Sequence, residues 1–284
     1  MKIRFVRSSR VAIAFSALAL AAVAVPSAGA APTTSAAASG VNISGHPYWP
    51  GQDIVRGVAL THPTGGAQPG GYVLDSWGGV HNFGGAPFLP SSHYTPNNPT
   101  SHSLALEGGD AAGTTMNASA KTWPFPGGIG GTTDTFQTCD QSRNFGIAVR
   151  GISLDPAVSG GKFNLNGATI DGWGGVHPLC TNTTTINLSG APYWPGWQIV
   201  HGIALLPGGI GGFTLDGYGG VHAWGKAKVT TPPDAYWGAR PGVRAWDIAR
   251  GVAIDGTGTT TTAGNGVVVD GWGGLHTFTY NTLP

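Results

Sequence analysis

Charged side chains make up only 10% of this 284-residue chain, against about 25% in an ordinary globular domain. Glycine supplies 49 residues, tryptophan supplies 10, and glutamate occurs once, at Glu107, so helix-favouring residues are scarce and the composition indicates an all-β protein. No cluster of Lys and Arg follows the first ten residues, which argues against nucleic acid as a partner.

The first 30 residues predict a secretory signal peptide. A cationic start is followed by an uncharged apolar run of 15 residues at 11–25 and by a small-x-small cleavage site, Ala28-Gly29-Ala30. The basic residues of the start are Lys2, Arg4, Arg7 and Arg10. The apolar run is too short to span a bilayer, which takes about 20 residues, and no later stretch reaches spanning length. We therefore expect an extracellular protein without a membrane span.

Removal of this segment changes the charge of the chain. Four of the 14 basic residues lie in it, which leaves ten against 13 acidic residues, a net charge of −3 with neutral histidines. Residues 31–44 are mostly Ala, Thr and Ser and are expected to form a flexible linker. Residues 45–284 suffice for a single large β domain.

A short string that begins with Arg or His recurs five times and sets the period of the chain. The first copy reads Arg-Gly-Val-Ala-Leu, and successive copies start 46 to 51 residues apart. Their first residues are Arg56, His102, Arg150, His201 and Arg250. A period near 48 residues, with short strands bounded by glycine, is typical of β-propeller blades and not of solenoid coils.

A second string, Asp-Gly-Trp-Gly-Gly-Val-His with small variations, recurs in four of the five units. Its Asp and His residues are Asp75 and His81, Asp171 and His177, Asp216 and His222, and Asp270 and His276. An apolar run precedes each copy, so the Gly-Gly pair predicts the two-residue turn of a β-hairpin. The second unit has a divergent copy, in which Asn117 stands in the place of Asp.

The predicted two-residue turn fixes where these side chains point. Trp77 would pair with Val80, and Asp75 and His81 would then lie on opposite faces, where they cannot bind one metal ion. We interpret the Asp and His residues of all four copies as structural: Asp binds amides of the turn, and His packs between units. We predict no metal and no cofactor.

The chain therefore predicts a five-bladed β-propeller, and its two ends suggest how the ring closes. The last unit stops at Thr279-Tyr280, without the Pro-Tyr-Trp-Pro-Gly segment that follows an earlier unit at Pro192. The ordered part of the chain begins with that segment, at residues 45–51. We expect the N-terminal segment to supply the outer part of the last blade and to close the ring, because an open array would need polar caps.

The units resemble the glycine- and tryptophan-rich repeats of secreted actinobacterial proteins, of the form RGIAL…GYVLDGWGGVHPFG. This likeness extends over nearly all of residues 45–284 and carries no assigned chemistry. In blade number, period and aromatic content the chain is also similar to five-bladed tachylectin-type lectins, which by analogy implies sugar binding.

The column of Arg and His at the start of the innermost strands allows two interpretations. The side chains could form a ring near a channel mouth and hold an anion. Alternatively, each pairs with a carboxylate, and Asp53 and Asp247 lie three residues before Arg56 and Arg250. We favour the pairing.

Carboxylates raise the alternative of an extracellular carbohydrate-active hydrolase with its site at a channel mouth. Glu107, Asp155 and Asp255 share the position that follows the innermost strand, and Glu107, in the divergent unit, would be the catalytic acid. Repeated positions are a poor match to a catalytic site, and motifs of serine hydrolases, zinc proteases and phosphate loops are absent from the sequence. The sequence favours a protein without catalytic activity.

Aromatic residues carry the preferred hypothesis, a propeller that binds glycans or another extracellular polymer at several repeated sites. Trp faces stack on sugar rings, although Trp77, Trp173, Tyr218 and Trp272 are expected to pack between blades. The predicted ligand-binding residues are Tyr48, Trp49, Tyr193, Trp194, Tyr236 and Trp237. Repetition favours this hypothesis because equivalent weak sites reinforce one another on a polyvalent target. A structural or protein-binding scaffold remains a further alternative, and we expect a monomer.

Cys139 and Cys180 are the only cysteines of an exported chain, and they flank the third unit. We expect them to form one disulfide that joins the start of this unit to the end of its hairpin.

Overall fold

The computed structural model describes residues 40–63, 67–91, 93–107, 109–126, 148–155, 166–179, 182–239, 241 and 244–284. All of these lie in one compact unit, Ala37–Pro284. The predicted signal peptide, most of the predicted linker, and Cys139 and Cys180 with their predicted disulfide lie outside the described residues.

The described residues form sixteen β-strands in five antiparallel sheets, which confirms the all-β prediction. The first sheet contains β1 (Val55–Leu60), β2 (Gly71–Asp75) and β3 (Val80–Phe83), and the second contains β4 (Ser101–Leu106), β5 (Gly113–Asn117) and β6 (Thr122–Phe125). The third contains β7 (Val149–Leu154), β8 (Gly167–Asp171) and β9 (Val176–Pro178), and the fourth contains β10 (Val200–Leu205), β11 (Gly211–Asp216) and β12 (Val221–Gly225). The fifth has four strands, β13 (Ala227–Thr231), β14 (Ala249–Ile254), β15 (Gly264–Asp270) and β16 (Leu275–Thr282), in the order β13-β16-β15-β14. A short 3-10 turn, Pro207–Gly209, precedes β11.

The middle strand of each sheet is buried on both faces. Every residue of β2, β8 and β11 is buried, which explains why these strands, apart from the Asp that ends each of them, do not alternate with charged residues. A strand that is covered on both sides needs a neighbouring sheet on each side. The sheets therefore stack face to face.

Five hydrophobic clusters fill the spaces between sheets, and each cluster joins two neighbouring sheets. Phe213 of the fourth sheet packs against Phe278 and Tyr280 of the fifth, for example, with ring centroids 5.8 and 5.3 Å apart. Another cluster joins the fifth sheet to the first, through Val267 and Val55. The first and last units of the sequence are thus packing partners.

One strand of each sheet lies beside its counterparts in the two neighbouring sheets, and we call these five the first strands: β1, β4, β7, β10 and β14. A glycine stands near the start of four of them, where the neighbouring backbone approaches closely. A Cβ atom on Gly251 would lie 2.9 Å from Cα of Gly57, so the first strand of the last sheet touches that of the first. In the remaining strand the Ser103 hydroxyl accepts the backbone N–H of Ile152 at 3.2 Å. Small residues at this position are therefore required by backbone proximity.

The fourth strand of the last sheet comes from within the chain, contrary to the expectation that the N-terminal segment supplies the outer part. Strand β13 follows β12 after a single residue and pairs with the long strand β16. The N-terminal segment instead lies between the last and first sheets, where Trp49 N–H donates to Trp272 O at 2.7 Å and Gly84 N–H donates to Ser44 O at 2.8 Å.

The same arrangement occurs between the third and fourth sheets. There Trp194 N–H donates to Trp173 O, and Gly225 N–H donates to Ser189 O, both at 2.7 Å. The N-terminal segment therefore takes the place of an inter-sheet connection, and it contacts the two ends of the repeat array.

Candidate functional site

The repeated hairpins have a five-residue turn in place of the predicted two-residue turn. In the first sheet Leu74 pairs with Val80 and Val73 with His81, and the Asp75 N–H donates to Gly79 O at 2.9 Å. One carboxylate oxygen of Asp75, Oδ1, accepts the backbone N–H groups of Trp77 at 2.8 Å and Gly79 at 2.9 Å. The Asp side chain thus holds a wider turn than glycine alone would specify.

This register overturns the prediction that Asp and His point apart. The pairing differs from the predicted one by three residues, and an odd shift reverses the face on which a side chain lies. The His81 Nε2 atom lies 2.9 Å from Asp75 Oδ2. The same Asp–His contact occurs at Asp171–His177, Asp216–His222 and Asp270–His276, with distances of 2.9, 2.8 and 3.3 Å.

The contacts of the Asp–His pairs follow one pattern. Each Asp accepts two turn amides with one oxygen and contacts His with the other. Burial acts to raise the pKa of Asp171, but the bonds from His177 and from the Gly175 and Trp173 amides lower it overall. Within the described residues there is no group of three or more His, Cys, Asp or Glu side chains that could hold a metal ion.

The divergent second hairpin has the same turn, but its imidazole and indole rings have exchanged positions. Asn117 Oδ1 accepts the N–H groups of Ser119 at 3.0 Å and Lys121 at 2.9 Å, as Asp does elsewhere. Trp123 stands at the hairpin position that His occupies in the other copies, and the imidazole of His93, from the preceding connection, stacks on it with centroids 4.1 Å apart. An imidazole–indole contact is therefore preserved with the two rings reversed.

The predicted ligand-binding tryptophans make the corresponding contact in other sheets. The ring of Trp194 lies edge-on to His222 with centroids 5.0 Å apart. Trp49 with His81 and Trp237 with His276 have the same geometry, at 5.1 and 4.9 Å. These tryptophans are half-buried, whereas the neighbouring Tyr48, Tyr193 and Tyr236 are 51%, 55% and 49% exposed.

Two tryptophans that the sequence analysis did not select have a stronger claim to a binding role. Trp197 and Trp246 are 54% and 47% exposed, and each lies beside the aromatic residue at the hairpin turn of its own sheet. The centroid distances are 6.4 Å from Trp197 to Tyr218 and 5.0 Å from Trp246 to Trp272. We call these two pairs the aromatic platforms. Each of these tryptophans stands three residues before a first strand, and alignment of the repeats would have revealed this.

The aromatic platforms lie at the same end of the sheets as the Arg and His column. Strand β1 begins where β2 ends, with Val55 paired to Asp75 at the base of the hairpin turn. The same pairing joins the first and middle strands in the other four sheets. The hairpin turns and the first residues of the first strands therefore share one end, which we call the turn face.

At the turn face, the five Arg and His residues line one cavity of about 320 Å³, together with Asp53 and Pro99. A register shift, the mark of a β-bulge, occurs in every first strand at the Arg or His residue. A bulge re-aims a side chain relative to the regular pleat. All five side chains thereby reach a common space.

The favoured pairing with carboxylates occurs for three of the five residues. Asp53 contacts Arg56 at 3.0 Å and Arg250 at 2.6 Å, and Asp247 lies 3.0 Å from both Arg250 and His201. Burial acts to raise the pKa of Asp53 and Asp247, but the contacts with Arg and His lower both. Arg150 and His102 have no carboxylate partner among the described residues.

The predicted catalytic carboxylates lie at the opposite end of the first strands. Glu107 follows Leu106, the last residue of β4, and donates its backbone N–H to Ala112 O at 2.9 Å. Asp155 and Asp255 are both buried. Asp155 accepts the Gly208 N–H at 2.9 Å, and Asp255 accepts Asn265 Nδ2 at 2.8 Å, so both carboxylates tie loops at this end.

Comparison of the chain with models of known protein families finds no match, and comparison with curated proteins finds no significant match. None of the helices in the described part of the chain has the length and apolar character needed to cross a membrane.

Proposed function

We propose that the chain is a secreted five-bladed β-propeller that binds a glycan or another extracellular polymer through the aromatic residues of its turn face. The five sheets are its blades, and the packing of the last sheet against the first supports a closed ring. The predicted signal peptide supports export.

One observation carries the binding proposal: the two aromatic platforms repeat at equivalent positions of successive blades. Trp197 and Trp246 precede their first strands by the same number of residues, and both rings are about half exposed beside a second aromatic ring. An exposed indole supported by a second ring offers a flat apolar surface of the kind that stacks on a sugar face. Exposed Tyr193, 6.4 Å from Trp173, adds a further aromatic pair one blade earlier.

The repetition of the aromatic platforms bears on whether the target is a polymer or a single small sugar. A single stacking contact is weak, but two equivalent contacts on one chain raise the apparent affinity because the second binding event is intramolecular. A polymer with a repeating sugar unit matches this arrangement better than a single small sugar does.

Retention on insoluble polysaccharides tests the proposal directly. The unmutated protein is incubated with cellulose, chitin and mannan, and bound and free fractions are measured, together with a glycan array. We expect retention on at least one polymer, a modest loss in Trp197→Ala or Trp246→Ala, and a disproportionate loss in the double variant.

Phe88→Ala is the matched control. Phe88 is 71% exposed but follows β3, which ends at the opposite side from the turn face, so its truncation should leave retention unchanged. Failure of the unmutated protein to bind any glycan would overturn the proposal. Full retention by a correctly folded double variant would remove the aromatic platforms from it.

A further inference from the structure

The cavity at the turn face has an excess of positive charge. Its three arginines face two carboxylates, Asp53 and Asp247, which leaves one positive charge when the two histidines are neutral. Arg250 forms ion pairs with both carboxylates, and Arg56 forms an ion pair with Asp53. Arg150 is the one of the three that forms no ion pair with a carboxylate of the described residues, although the charge of Asp247 acts on it at longer range.

The guanidinium group of Arg150 makes few hydrogen bonds. Its one side-chain hydrogen bond with another described residue runs from Nη2 to Gln198 Oε1, at 3.3 Å. Its Nε atom is buried and has no hydrogen-bond partner among the described residues. Arginine has five donors in a planar fork, so most of its donor capacity is unused here.

His102, the equivalent residue of the preceding sheet, lies in the same cavity and also lacks a hydrogen-bond partner in the described part of the chain. Burial, with a further contribution from Arg150 and Arg56, lowers the pKa of His102 to about 4. The ring is therefore neutral at pH 7 and can donate one N–H without adding charge. Donor groups of Arg150 and His102, from adjacent sheets, thus face one space without a hydrogen-bond partner there among the described residues.

We propose that this cavity binds a single carboxylate group of a small acidic molecule such as a uronic acid, with Arg150 and His102 as its donors. One negative charge neutralises the excess charge of the cavity, and a planar carboxylate matches the fork of a guanidinium group. The cavity volume of about 320 Å³ falls at the lower end of the roughly 300–1,000 Å³ typical of small-molecule sites. This site is separate from the aromatic platforms and does not depend on them.

Isothermal titration with glucuronate tests this assignment, with glucose as the uncharged control and inorganic phosphate as the alternative anion. We expect glucuronate to bind, glucose not to bind in the same concentration range, and the affinity for glucuronate to fall as NaCl is raised. Arg150→Gln should weaken binding at least tenfold and His102→Gln by a smaller factor. Arg244→Gln, the same change at an exposed position that does not line the cavity, should have no effect.

Two further variants keep the test decisive. Arg150→Lys retains the positive charge but not the planar fork of the guanidinium group, and it should bind glucuronate with intermediate affinity. This variant replaces Arg150→Gln in the test if the Gln variant does not fold. Trp197→Ala should bind glucuronate normally, which separates this site from the aromatic platforms. Absence of glucuronate binding, a preference for phosphate over glucuronate, or unchanged binding in folded Arg150 variants would overturn the proposal.

Discussion

His81 lies on the same side of its hairpin as Asp75, with its Nε2 atom 2.9 Å from a carboxylate oxygen that is not used by the turn. The other oxygen of Asp75 accepts two backbone amides of the turn. One residue therefore holds the hairpin turn and positions the imidazole against which Trp49 packs. In the first, fourth and fifth sheets the Asp–His pair thus links the hairpin turn to a connection whose tryptophan packs on the imidazole.

Substitution of Asp75 should separate its two roles. Asp75→Ala leaves the buried Gly79 amide, the partly buried Trp77 amide and His81 without their carboxylate partner, so we expect the free energy of unfolding to fall by about 3 kcal/mol. Asp75→Asn should cost only about 1 kcal/mol, because Asn117 accepts the equivalent amides in the second hairpin. Denaturant unfolding of the two variants measures both effects. Equal losses would show that the turn bonds are not what Asp75 contributes.

Trp194 and Tyr193 are neighbours with different expected roles. Trp194→Ala removes a ring that packs on His222, and we expect a loss of about 2 kcal/mol, below the roughly 3–5 kcal/mol of a fully buried Trp. Tyr193→Ala should leave the Tm nearly unchanged, because the side chain is 55% exposed. Thermal unfolding measures both, and an equal drop in Tm for the two variants would contradict the packing assignment.

The N-terminal segment should stabilise the contact between the last and first sheets. A chain that begins at residue 52 lacks the bonds from Trp49 to Trp272 and from Gly84 to Ser44, so the Trp272 carbonyl and the Gly84 amide lose these partners. We expect a lower Tm and concentration-dependent aggregation, measured by calorimetry and light scattering. A chain that begins at residue 40 is the control. Identical behaviour of the two chains would be incompatible with closure at this point.

Gly251 tests the contact between the first strands of the last and first sheets. A Cβ atom at this position would lie 2.9 Å from Gly57 Cα and 3.0 Å from Val58 N, and backbone cannot yield as a side chain can. We expect Gly251→Ala to cost about 1–3 kcal/mol. Gly172→Ala is the control, because its new methyl group meets only the Gln198 side chain. A smaller loss in the Gly251 variant than in the control would argue against this contact.

His102 should make the fold sensitive to mild acid. Its folded-state pKa of about 4 lies below the unfolded value near 6.5, so the unfolded chain binds more protons between these two pH values. Stability that is fully present above pH 6.5 is therefore lost as the pH falls towards 4, by about 3 kcal/mol in total. His102→Gln should reduce this loss, and the difference between the two pH–stability curves isolates it. Parallel curves for the two proteins would contradict the lowered pKa.

The repeat architecture was predictable because it is periodic along the chain. The five Arg or His strings mark the first strands, and the divergent hairpin at Asn117 forms with the expected order of strands. Local rules also explain the turn amides that Asp75 accepts. Each of these features depends on residues that are close in sequence, so the sequence alone is enough to predict it.

Tertiary structure decided the features that join distant residues. The register of the hairpins differs by three residues from the prediction because the Asp75 side chain, not the glycine pair, sets the length of the turn. Arg250 pairs with Asp53 from the other end of the chain, 197 residues away, whereas Arg150 forms no ion pair with a carboxylate of the described residues. Trp197 is exposed and Trp194 is half-buried because different neighbouring residues cover each ring. This packing between sheets cannot be deduced from the sequence of any single repeat.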